Sequence, residues 1–359
     1  MSSQVFSITL DSEGPKSMLV FSGYLDKSSQ ASFADAENLL ARHPSHERSI
    51  NLSRVEGMDG AGLQLLTMFL FNLRYFKYRL TAYGTPAWLR AVLHLTCLDS
   101  ILTVNTDKKP NTPSPTGAGL SGGQEWCSPV TQLDCSALPP HAVTVNTCNR
   151  LPLTPFSGFG PLWQRTYRVA LPGLDLSPSQ VMAAWKANFS AFWPEGNDLL
   201  TPNAALQPGM PAVIHLSLPG GMKVFTGALI MHSNAESFSL MTLQGHMFCG
   251  WITFSSFIED GTLFAQTQAL LRPSDALFDL SFRLGFGTHA EDAFWHASLL
   301  NLATHLGVNG EVRQTNLLLD KHMQLKHFGN LWYNAGIRSV LYLVTHPFAA
   351  RKLARRRNP

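Results

Sequence analysis

The run Asn51-Leu-Ser-Arg-Val-Glu-Gly-Met-Asp-Gly-Ala-Gly62 decides the fold of the first third of the chain. Ser49–Leu52 reads as a short strand, and Asp59 stands directly before a helical pattern from Gly60 to about Phe76. Leu63, Leu66, Leu70 and Leu73 fall on one stripe of that helix. A carboxylate suits position 59, because the first N–H groups of a helix lack partners and its dipole favours negative charge there. The small residues Gly60, Ala61 and Gly62 would let a partner's backbone come close.

Outward from this run, strands and helices alternate. Phe6–Leu10 and Ser17–Gly23 read as a strand pair, and Ala31–Arg42 as a helix with Phe33, Ala36, Leu39 and Leu40 on one face. Arg79–Tyr83 is a strand, Pro86–Leu95 a helix with proline in its first turn, and Ile101–Val104 a last strand. The order ββαβαβαβ predicts an α/β domain, a mixed sheet packed with helices, over residues 1–105.

The run and its surroundings resemble the STAS domains of anti-sigma factor antagonists, whose signature is Asp-Leu-Ser-x-Val-x-x-x-Asp-Ser-Ser-Gly before a helix. Gly23-Tyr24-Leu25-Asp26 matches the family's Gly-x-Leu-Asp, and Thr81-Ala-Tyr-Gly-Thr-Pro86 sits at its fourth strand and following turn. The resemblance implies a docking module for a partner protein, with Asp26, Ser53, Asp59, Gly60, Ala61 and Gly62 on an exposed docking loop. Signalling members carry a phosphorylatable Ser or Thr after the aspartate. Gly60 has no hydroxyl, so the usual switch has no acceptor there. STAS modules also serve membrane transport systems, including lipid-handling ones.

Eight of the 22 prolines fall within residues 105–160, and 106–160 reads as a Pro/Gly-rich linker. Beyond it, Arg165–Leu171 is a strand, and Ser177 caps a helix carrying Val181, Trp185, Phe189 and Phe192. Five strands follow within 212–271. A long helical region after Pro273 breaks at Gly285-Phe-Gly287, and Thr288 with Glu291 has capping-box spacing for its restart. This pattern predicts an α+β grip over 161–310. It resembles the START-like (SRPBCC) helix-grip superfamily, and within it a group with the motif Thr242-Leu-Gln-Gly-His246 and a later Arg272-Pro273.

That resemblance implies an apolar cavity for a hydrophobic small molecule or lipid. The candidate lining is Phe238, Leu240, Thr242, His246, Phe248, Ile252, Phe254 and Phe264, with Gln266 and Gln268 sharing the face of Phe264, and Trp295 and Leu299 on the facing helix. Alternation decides which residues share a face of the sheet, not which face is inside.

Composition narrows the classes. Only 14% of the 359 residues are charged, against about 25% in an ordinary domain. No apolar run reaches the ~20 residues of a membrane-spanning helix, and no secretory signal is visible. Five widely spaced cysteines without a CxxC pair read as reduced thiols in the cytoplasm, and the basic C-terminal tail adds a peripheral place at the inner membrane surface. Net charge is +3, and no basic–aromatic interleaving points to nucleic acid. No metal-ligand spacing, nucleotide loop or nucleophile motif is present, so no metal, cofactor or catalytic residue is assigned.

Residues 311–359 read as an apolar helix and a basic tail. Arg351, Lys352, Arg355, Arg356 and Arg357 suit an anionic membrane surface. The leading expectation is a non-catalytic regulator that docks a protein and binds an apolar ligand. The alternatives are a cyclase- or hydrolase-type enzyme, for which Tyr167, Glu236, His246 and Arg272 would have to converge, and a scaffold with a filled interior.

Overall fold

The computed structural model describes residues 6–11, 18–42, 47–75, 78–105, 124–203, 205–217 and 221–347. The chain divides into two compact units, Met1–Pro129 with His232–Asn234, and Val130–Met231 with Ala235–Pro359. Of the stretch read as a linker, 106–123 lies outside the described residues. Residues 130–160 pack into the second unit, burying Leu133, Leu138, Val143, Asn146 and Phe159.

The first unit contains β1 (Ser7–Asp11), β2 (Met18–Leu25), α1 (Gln30–Arg42), β3 (Glu47–Met58), α2 (Gly60–Tyr75), β4 (Arg79–Tyr83), α3 (Ala87–Leu95) and β5 (Thr103–Val104). The sheet runs β1-β2-β3-β4-β5, with β1 antiparallel to β2 and the remaining pairs parallel. β3 is longer than the short strand read from sequence, since its pairing with β2 continues to Met58. The helical stripes meet the sheet in an aromatic cluster of Phe6, Phe21, Phe33 and Phe69, all buried, with neighbouring ring centroids 5.3–6.0 Å apart.

The second unit contains β6 (Leu162–Ala170), α4 (Pro178–Ala187), β7 (Asp198–Leu200), β8 (Pro211–Ser217), β9 (Lys223–Ser233), β10 (Ser237–Thr242), β11 (Phe248–Glu259) and β12 (Thr262–Pro273). These are followed by α5 (Ala276–Arg283), α6 (Phe286–His305), β13 (Val312–Asp320), a 3-10 segment (Leu325–Tyr333) and α7 (Ala335–Thr345). The strands form one sheet in the order β13-β6-β12-β11-β10-β9-β8-β7. Apart from β13, the first strand lies beside the last and the others follow in sequence. This antiparallel sheet with its long late helix is compatible with a helix grip.

Ser177 caps α4 in a full capping box with Gln180, as its position before Pro178 predicts. Gly285 marks the expected helix break at φ +87, a conformation that favours glycine. Thr288, however, is not the cap of α6. It lies inside the helix, and its hydroxyl donates to Phe282 O. Residues 311–320 are also not helical. β13 pairs along β6 instead, so the C-terminal region opens with a strand.

The sheet's inner face carries Phe238, Leu240, Phe248, Ile252 and Phe254 toward α4 and α6. On β12 that face belongs to Leu263, Ala265, Ala269 and Leu271. Phe264, Gln266 and Gln268 therefore point away from the interior, contrary to the sequence reading. Phe264 stacks on Phe257, and the Arg168 guanidinium lies 4.9 Å from both ring centroids. A strand's alternation is equally compatible with either side, and the pairing of Ile252 with Ala269 selects this one.

Candidate functional site

In the first unit, the 59–62 turn sits where β3 hands over to α2. Asp59 donates its N–H to Leu25 O (3.0 Å), and its Oδ1 accepts from the Gly62 N–H (2.7 Å), so the carboxylate caps the helix. A Cβ on Gly62 would lie 2.2 Å from Leu25 O, which is why only glycine fits. The run is buried rather than the exposed loop expected. The Asp59 side chain turns inward to cap, and the Trp126 indole N–H donates to Met58 O (2.8 Å). Beside it, the Tyr24 hydroxyl donates to Glu125 (3.1 Å). Asp26 caps a 3-10 turn at Lys27–Ser29, and the Ser53 N–H donates to Asn51 Oδ1 (2.9 Å). Both remain partly accessible, and Arg54 and Glu56 beside Ser53 are exposed.

In the second unit, a cleft of about 270 Å³ opens between the end of the sheet and α5. Trp163, Phe248, Leu271, Phe282 and Leu318 form an apolar wall, and Arg165, Asp279, Arg283 and Lys321 stand around it. Phe248 and Phe282 pack at 4.6 Å. Arg283 Nε donates to Asp279 Oδ2 (2.7 Å), while Lys321 has no ion pair among the described residues. The cleft thus joins an apolar wall to one lysine, Lys321, whose charge is not neutralised by an ion pair among the described residues.

Behind the cleft, Arg165 Nη1 contacts Asp292 Oδ1 (3.1 Å) and Glu291 Oε2 (3.3 Å). Asp292 Oδ1 also accepts from the Tyr167 hydroxyl (2.7 Å) and Gln314 Nε2 (2.9 Å). Burial and the neighbouring carboxylates raise the Tyr167 hydroxyl, so it stays a donor. The Glu291 carboxylate receives no hydrogen bond among the described residues, and burial pushes its carboxyl up to about 7 against the pull of Arg165. A folded-state value above the unfolded one stabilises fully below the unfolded value and is lost as pH rises from 4.5 to about 7. Glu291→Gln is therefore expected to gain roughly 2–3 kcal/mol over the native chain at pH above this window, and little below it. Thermal unfolding on both sides of the window checks this; an equal effect at the two would contradict it.

Comparison with known proteins places the first unit. The family model described as "Mlab, STAS domain" matches residues 8–103. Residues 8–103 form a STAS domain. A regulatory, partner-binding role is consistent with it. No curated protein matches. Among solved structures, an anti-sigma factor antagonist from Mycobacterium paratuberculosis is 20% identical, covering 28% of this chain and 86% of its own, with a TM-score of 0.24. Protein Ms6760 from Mycobacterium smegmatis is 14% identical over 40% of this chain and 90% of its own (TM-score 0.30). The di-domain ARO/CYC StfQ from the steffimycin biosynthetic pathway is 9% identical over 41% and 50% (TM-score 0.32).

Of the lining residues read from sequence, Phe248 alone borders the cleft. Phe238, Leu240, Ile252, Phe254, Trp295 and Leu299 belong to the packed centre. There Phe189 lies 4.9 Å from Phe238 and 4.8 Å from Phe254, and Trp295 lies 5.5 Å from Phe254. The motif Thr242–His246 builds a turn. Thr242 Oγ1 accepts from Gly250 N–H (3.0 Å), and His246 Nδ1 accepts from Phe248 N–H (3.0 Å). Burial lowers the His246 imidazole to about 4, so it stays neutral. Arg272 is spent on Gly160 O, His322 O and Asp320. Tyr167 meets Asp292 and the His296 ring instead of the other three residues of the enzyme alternative.

Trp163, Arg165, Phe282, Arg283, Leu318 and Lys321 were not singled out from sequence. Alternation in Trp163-Gln-Arg-Thr-Tyr167 puts Trp163 and Arg165 on the same face as Tyr167, a signal available in the sequence. Arg351, Lys352, Arg355, Arg356 and Arg357 lie outside the described residues. Among the described residues no His, Cys, Asp or Glu cluster has a metal site's geometry, and no helix is long and apolar enough to cross a membrane.

Proposed function

We propose that this protein is a non-catalytic regulator in which the STAS domain docks a protein partner and the second unit binds a small amphiphile with an anionic head. Docking would use the accessible rim of the expected loop, Asp26 and Ser53 with Arg54 and Glu56, since Asp59–Gly62 is buried. The observation that carries the ligand reading is the cleft. Its wall is apolar, and Lys321 at its mouth has no carboxylate partner among the described residues. Its volume, about 270 Å³, falls just below the ~300–1,000 Å³ of ordinary small-molecule pockets, which favours one short chain over a two-chain lipid.

Calorimetric titration of the full chain with decanoate and decanol tests this. Decanoate is expected to bind saturably and more tightly than decanol. Lys321→Glu should weaken decanoate at least about tenfold, the size of one charge-assisted contact. Absence of saturable binding by either compound would remove the ligand-binding role.

A further inference from the structure

The C-terminal elements of the second unit wear their apolar residues on the outside. On α7, Ile337, Val340, Leu341 and Val344 stand at i, i+3, i+4 and i+7, the stripe a surface helix normally buries, and all are exposed. The opposite side is held by polar bonds, with the Tyr342 ring against Phe225. Ser339 Oγ accepts from Phe225 N–H (2.9 Å), Ala335 N–H donates to Gly245 O (2.9 Å), and Arg338 Nε donates to Asn146 Oδ1 (3.0 Å). The helix is therefore anchored in this orientation by specific bonds.

Two neighbouring elements do the same. The 3-10 segment exposes Leu325, Phe328 and Trp332, the last at 84%. The α5–α6 corner exposes Leu277, Leu280, Leu284 and Phe286. Asn334, the cap of α7, donates to Asp275, the cap of α5, at 2.9 Å, and Asn330 donates to Ser274 O at 2.8 Å. The rows are thus held on one frame. An apolar surface of this extent, with an exposed tryptophan, is unusual on a monomer.

Charge identifies the occupant. After Asp320 the sequence contains eight Lys and Arg and no Asp or Glu. The chain's net +3 therefore divides into −5 over residues 1–320 and +8 over 321–359. An apolar, aromatic face in a segment whose sequence carries concentrated positive charge suits the boundary of an anionic bilayer, where rings settle at headgroup level and basic residues meet lipid phosphates. A protein partner would satisfy the apolar rows without requiring this charge asymmetry.

We propose that the face formed by α5, the 3-10 segment and α7 docks on an anionic membrane surface, with the C-terminal basic residues as its electrostatic component. Insertion would be interfacial. The docking requires no occupant in the cleft.

Co-sedimentation of the full chain with sucrose-loaded vesicles tests this, using phosphatidylcholine alone and in a two-to-one mixture with phosphatidylglycerol. The native chain is expected to pellet with the mixed vesicles, release with salt, and stay in solution with phosphatidylcholine. Trp332→Ser combined with Leu341→Ser and Val344→Ser changes only exposed side chains and should lower partitioning at least about tenfold. Arg355→Glu, Arg356→Glu and Arg357→Glu together should lower it about a hundredfold or more, each basic residue being worth roughly a factor of five. Circular dichroism should be unchanged in both. Native chain left in the supernatant with mixed vesicles would overturn the proposal. So would native binding by the serine variant, which would assign attraction to charge alone. A solution dimer of the native chain that the serine variant dissociates would assign the face to a second copy, and would also overturn it.

Discussion

Trp185→Ala is expected to cost the second unit about 3–5 kcal/mol, the range for truncating a large aromatic in a close-packed core. Trp185 is 1% exposed on the inner side of α4 and meets Phe254 edge-on at 5.5 Å. Phe238 and Phe254 stack at 4.7 Å below it, and Phe189 closes on both. Removing the indole leaves a void that these rings cannot refill without leaving their rotamers. Denaturant-dependent hydrogen exchange over residues 162–305 reports this unit separately from the STAS domain. A loss below about 1 kcal/mol would mean that the centre between sheet and helices is loosely filled. The ligand space would then extend well beyond the cleft at its end.

Asp275→Ala is expected to loosen two helices at once, at a cost of about 2–4 kcal/mol, from one lost cap and one orphaned buried amide. Asp275 is fully buried. Its Oδ1 accepts from the N–H groups of Leu277 (2.9 Å) and Phe278 (3.0 Å) at the start of α5. Its Oδ2 accepts from Asn334 Nδ2, and Asn334 Oδ1 in turn accepts from Ile337 N–H (3.0 Å) at the start of α7. Alanine removes the first cap and leaves the Asn334 amide without its acceptor. Asp275→Asn keeps an acceptor for α5, since asparagine caps nearly as well as aspartate. Hydrogen exchange should therefore rise in α5 and α7 together for the alanine variant, and mainly in α7 for asparagine. Unchanged protection of α7 in the alanine variant would show that the two caps are not linked.

These effects also bear on function. The cleft is walled by Phe282 and Arg283 of α5, and the proposed membrane face spans α5 and α7. The Asp275–Asn334 pair joins the elements that both features share.

The STAS domain was largely legible before its structure, because its signals are local. Asp59 before a leucine stripe is a cap and a helix whatever surrounds it, and the motifs at 23–26 and 81–86 fall at the ends of neighbouring strands. The burial of 59–62 was not legible, because it depends on contacts across the fold, such as the Asp59 N–H to Leu25 O and the close approach of Gly62 to Leu25. In the second unit the run of strands and the Ser177 cap were equally local. β13 was missed because Val312–Asp320 alternates poorly and is mostly exposed, so pairing with β6 rather than burial makes it a strand.

By itself, the sequence determined the order of most strands and helices, which residues share a face, and that positive charge gathers after Asp320. Each of these depends on spacing along the chain. Tertiary structure alone decided which face looks inward, turning Phe264 out and Phe254 in, and which distant groups meet, bringing Arg165 to Glu291 and Asp292. It also decided that α7 shows its apolar stripe to the outside, because Phe225, Asn146 and Gly245 hold the opposite side by hydrogen bonds. A periodic pattern contains no information about the direction in which it points until something packs against it.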